Sequence, residues 1–132
     1  VTDTPGAIEA KVPEWIELVI ADCYPAEDQN RFVKGIDEIN SDAKTAYGKI
    51  FLELDEARQI ELLTRLEKEA VEKRVASPDF VPPALLMLKE LTLIGYFTSE
   101  PGVTQALTYV HVPGHYEGCV PLEQVPKSWA IQ

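Results

Sequence analysis

The run ALLMLKELTLIGYF, residues 84–97, constrains this chain more than any other stretch. Pro82-Pro83 precedes it and supplies a helix start, and within it only Lys89, Glu90 and Thr92 are polar. A helix that is apolar almost all the way round has to be covered almost all the way round, by its own fold or by a partner. The run ends on two neighbouring rings, Tyr96 and Phe97, followed by the turn Thr98-Ser99-Glu100-Pro101-Gly102. Successive helical positions point about 100° apart, so the two rings cannot serve one narrow core stripe. One is expected to face inward and the other elsewhere.

The remaining pattern is also helical. Pro13 starts a helix with Ile16, Val19 and Ile20 on one face, and Pro25 opens another in which Phe32, Ile36, Ile39 and Ala43 recur. The second helix is expected to end near Gly48, with Glu27 and Arg31 as an i,i+4 pair on its outer side. In LELDEARQIELLTRLEKEAVEKR, Asp55 is placed as the N-cap and Lys73 and Arg74 complement the C-terminal dipole. Ile60, Leu63, Leu66 and Ala70 form its expected inward stripe. A short helix from Pro101 to about Leu107 follows the apolar one. From Thr108 onward, prolines at 113, 121 and 126 break any helical period, leaving an extended tail with at most one short strand around 108–112. The expectation is one all-α domain over 1–132: four to five helices in a single compact bundle at about 5–107, with an irregular tail, 108–132, across it. Its apolar helix is expected to be the most buried.

At 132 residues the chain is long enough to bury a core of its own. Its net charge of −10, from 22 acidic and 12 basic residues, argues against nucleic acid and against an anionic membrane surface as partners. No apolar run reaches the roughly 18 residues that spanning a bilayer needs. The chain begins at Val1 without an initiator Met, and an upstream segment such as a signal peptide is expected to have been removed. Cys23 and Cys119 fit either one long-range disulfide or two buried thiols.

The common cofactor and catalytic signals are missing: no G-x-G-x-x-G, P-loop, C-x-x-C-H, H-E-x-x-H or G-x-S-x-G occurs. HVPGHYEGC carries the one set of residues with metal-ligand chemistry, His111, His115, Glu117 and Cys119. Pro113-Gly114 between the histidines opposes a helix that would align them, and hydrogen-bonded loop histidines are the favoured reading. Trp15 and Trp129 are read as core or tail-packing residues, with Ser128-Trp129-Ala130 pinning the C-terminus.

MLKELTLIGYFTSEPGVTQALTYVHVPGHYEGCVP, with TPGAIEAKVPEWIELVIADCYP and FLELDEARQIELLTRL before it, resembles the gluconate 2-dehydrogenase subunit 3 family along essentially the whole chain. The ordered T-P-G-A start, D-C-Y-P turn, G-Y-F-T-S-E-P turn and Y-E-G-C-V-P tail carry the likeness. It implies a small, non-catalytic, periplasmic subunit of a bacterial dehydrogenase complex, without a cofactor of its own. There a large flavoprotein of the glucose-methanol-choline type holds FAD and oxidises a sugar or sugar acid, and a cytochrome c subunit with haem c often takes the electrons. Small subunits of this kind commonly carry a twin-arginine signal and bring the flavoprotein out folded. On this reading Cys23 and Cys119 pair in the exported protein, and Tyr96, Phe97, Thr98, Ser99, Glu100 and Pro101 belong to the surface that docks the flavoprotein. Two other classes compete: a free-standing exported helical binding module, and a small metal-dependent enzyme using the segment from His111 to Cys119.

Overall fold

A computed structural model describes residues 3–110, 114, 119–121, 123 and 127–130. The fold is all-α: α1 (Val12–Cys23), α2 (Ala26–Tyr47), α3 (Glu56–Ala76) and α4 (Ala84–Thr98), with a 3-10 turn at Phe51–Glu53 and a π-helical turn at Gly102–Ala106. Among the described residues there is no strand, only an isolated parallel bridge between Thr108 and Trp129. No helix among them is long and apolar enough to cross a membrane. Contacts group the chain into a terminal unit, residues 1–17 with 91–132, and a central unit, residues 18–90.

In the central unit, α2 ends as its sequence suggests. Gly48 adopts the left-handed conformation and its N–H donates to the Lys44 carbonyl oxygen at 2.9 Å. The connector to α3 is tied by two amide side chains. Asn40 Oδ1 accepts from Phe51 N at 3.2 Å, and Gln59 Nε2 donates to the carbonyl oxygens of Phe51 at 3.0 Å and Leu54 at 3.2 Å. Asp55 caps α3 by accepting from Arg58 N at 3.0 Å. Ala43, Leu54 and Leu62 form the core here, with Tyr47, Phe51 and Leu66 packed against them.

Two expectations are corrected in this unit. The inward stripe of α3 runs through Leu62, Leu66 and Ala70, whereas Ile60 is 57% exposed. Arg31 pairs with Asp28 at 2.9 Å instead of Glu27, and its Nη2 lies 3.8 Å from the Met87 sulfur, so its side chain is half-buried and not on the outer surface.

The terminal unit is organised by the ends of α1 and α4. A turn at Gly6–Lys11 leads into α1, with Val12 N donating to Ala7 O at 3.0 Å, and Lys11 takes a left-handed φ of 57°. Val12, Ile16, Leu91 and Gly95 are buried. Gly95 makes room for Trp15: a methyl group on it would sit 2.7 Å from Trp15 Cε3 and 3.0 Å from Val12 Cγ1. The tail is held where Thr108 N donates to Ser128 O at 2.7 Å and Ala130 N donates to Thr108 O at 2.9 Å. Ser128–Ala130 is therefore pinned by backbone bonds while the Trp129 side chain stays 53% exposed.

α4 carries four buried positions, Ala84, Met87, Leu91 and Gly95, more than any other helix. Their spacing of three and four marks a single stripe. Leu93 at 50%, Ile94 at 44% and Phe97 at 42% exposure lie off that stripe. Among the described residues, the buried positions of the helix lie on one side only.

Candidate functional site

The end of α4 is fixed by a chain of hydroxyl contacts. Thr98 Oγ1 donates to Ile94 O at 2.7 Å, closing back on the helix. Ser99 Oγ donates to Tyr96 O at 2.7 Å and accepts from Gly102 N at 3.1 Å, so a single side chain links a carbonyl of the last turn of α4 to the first amide of the next turn. Thr104 Oγ1 then donates to Glu100 O at 2.7 Å. Only glycine fits at 102, because a Cβ there would meet the Tyr96 carbonyl oxygen at 1.9 Å. Pro101 cannot donate a backbone bond, and the chain passes through it into the π-helical turn.

This turn holds Tyr96 and Phe97 in different surroundings. The Tyr96 hydroxyl donates to Pro5 O at 2.8 Å, fastening the N-terminal loop to α4. Phe97 meets the Tyr96 ring edge-on, with centroids 5.2 Å apart and planes at 76°, and keeps 42% of its surface exposed. One ring faces inward and one outward, as the spacing of consecutive helical positions requires. Beside them lies a groove of about 560 Å³ whose apolar lining includes Pro5, Leu93, Tyr96, Phe97, Ala106 and Leu107. The rest of the described lining is Thr4, Gly6, Ala7, Thr92 and Ser128, so among the described residues Tyr96 is the only titratable side chain on it. Such a surface offers apolar contact area and hydroxyl dipoles. It suits recognition of another apolar surface better than acid–base chemistry.

Of the residues singled out from the sequence, Tyr96, Phe97, Thr98, Ser99, Glu100 and Pro101 come together around this groove and its turn. Thr98 and Glu100 are exposed, and Ser99 and Pro101 are half-buried. His111, His115 and Glu117 lie outside the described residues, among which no group of three or more side chains is placed to hold a metal ion. Cys23, the last residue of α1, and Cys119 are both exposed free thiols. The exposure of both side chains overturns the buried-thiol alternative. The contribution of the loop at Pro5, 91 positions from Tyr96, has no signal in the sequence, since no local pattern marks a loop that pairs with a distant hydroxyl. Gly102 and Gly95 were visible signals, as a glycine in or beside an apolar helix marks close approach.

No curated protein and no solved structure matches the chain. A family model described as gluconate 2-dehydrogenase subunit 3 matches residues 1–114. That span takes in the groove's N-terminal loop, α4, the Ser99 turn and the π-helical turn, and with it the chain belongs to the gluconate 2-dehydrogenase subunit 3 family.

Proposed function

We propose that the chain is a non-catalytic accessory subunit of a bacterial dehydrogenase complex, which binds the FAD-bearing flavoprotein subunit and assists its export to the periplasm. The observation that carries this reading is the uncovered side of α4. Leu93, Ile94 and Phe97 are exposed on a helix end held by side-chain hydrogen bonds, beside an apolar groove. Exposed apolar area of this kind, anchored by an aromatic ring, is what a protein interface centre uses.

The flavoprotein is of the glucose-methanol-choline type and oxidises a sugar or sugar acid, and a cytochrome c subunit with haem c completes the electron path. Cofactors sit on those partners. Export follows the twin-arginine route, which carries folded proteins, so the small subunit and its flavoprotein leave together. The test is purification of the native protein under mild conditions. Co-purification of a yellow chain with flavin absorbance is expected, and a chain that emerges alone from cells producing the flavoprotein would favour a free-standing binding module.

A further inference from the structure

The central unit has a second cleft, of about 360 Å³, bounded by α2, α3 and the segment 80–85. Its floor is apolar, with Ala70 and Ala84 buried and Ile39, Leu66 and Phe80 beside them. Its rim is acidic: among the described residues Glu38, Asp42 and Glu69 line it, against the one cation Lys73. Glu69 is engaged by Arg65 at 3.3 Å. Glu38 and Asp42 are in no ion pair among the described residues, although they stand four positions apart on α2, where like charges repel. The chain's net charge of −10 adds a long-range field that draws cations toward such a rim.

We infer that this cleft docks a basic segment of a partner protein, an arginine or lysine flanked by an apolar residue. Long cationic side chains lay an apolar stem along apolar surface and keep the charged head at the edge, which matches an apolar floor under two unneutralised carboxylates. The volume is at the small end of the range of about 300–1,000 Å³ found for ligand pockets, room for a long side chain and a neighbour and too little for a dinucleotide-sized cofactor. This site lies on residues separate from the α4 groove, so the two stand or fall independently.

Fluorescence anisotropy with a labelled peptide carrying two arginines around a leucine tests it, beside the same peptide with citrulline for arginine. Saturable binding of the arginine peptide is expected, weakened about fivefold or more by Glu38→Gln with Asp42→Asn, and to a similar degree by citrulline. Glu53→Gln with Glu90→Gln, which removes the same charge elsewhere in the unit, should leave binding unchanged. An equal effect of that control, equal binding of a peptide lacking the leucine, or indifference to the Glu38 and Asp42 changes would overturn the proposal. Should the double variant fail to fold, the citrulline comparison on the unaltered protein decides. A dimer of the chain that the arginine peptide breaks apart would assign the cleft to a second copy and overturn it as well.

Discussion

The hydroxyl of Tyr96 donates to the carbonyl oxygen of Pro5 at 2.8 Å, joining residues 91 positions apart in the chain. The bond fastens the N-terminal loop, which forms one wall of the α4 groove, to the helix. Tyr96→Phe removes the donor and keeps the ring. The expected cost is about 0.5–1.5 kcal/mol of stability. Hydrogen exchange should speed up at the amides of Gly6–Ala10 while the α4 amides stay protected. Unchanged exchange in the loop would mean that other contacts hold it.

Gly35 tests how closely the central unit is packed. On intrinsic propensity, Gly35→Ala should stabilise a mid-helix position by about 1 kcal/mol. The added Cβ would lie 2.3 Å from the Ala84 Cβ, and both atoms are fixed to backbone, so α2 and the start of α4 would have to part. The clash outweighs the propensity gain, and a fall in Tm is predicted. A rise would show that propensity governs the site.

Tyr47 gives the alkaline behaviour a specific source. Desolvation raises its pKa above the ordinary 10.0, and a hydrogen bond to Glu61 with that carboxylate's charge raises it further, against smaller opposing effects from Arg65 and Arg58. Arg58 also lies 5.8 Å from the ring centroid. Because the folded pKa is raised, the neutral phenol's contribution is present in full below the ordinary value and is lost as pH rises through the folded one. The Tyr47 phenol should therefore ionise above its ordinary range, and this late phase of the alkaline titration should disappear in Tyr47→Phe. Persistence of the late phase in that variant would assign it to another tyrosine.

Helix positions were legible from the sequence because their signals are local. Asp55 as N-cap, the stop at Gly48 and the proline start of α4 each depend on a few adjacent residues. Which face turns inward was less legible. Leu62 and Leu63 are neighbours on α3, and either can head an apolar stripe at helical spacing; tertiary contact with Ala43 and Leu54 selects Leu62 and leaves Ile60 outside. The Arg31 position follows the same logic, since its contact with Met87 joins residues 56 apart. Around the candidate site, the divergence of Tyr96 and Phe97 follows from helix geometry alone, but the partner of the Tyr96 hydroxyl lies at the far end of the chain. The exposure of the thiols was equally unreadable, because cysteine count and spacing say nothing about which side chains are covered.

Phe97→Ala measures whether the outward ring of α4 contacts the proposed flavoprotein partner. Affinity for the purified flavoprotein and the Tm of the isolated chain are determined on the same preparation. Docking through this surface predicts a loss of about 1–3 kcal/mol in affinity, with the Tm nearly unchanged because Phe97 is 42% exposed and meets the Tyr96 ring edge-on. Unchanged affinity together with a marked drop in Tm would contradict the claim and make Phe97 a structural residue.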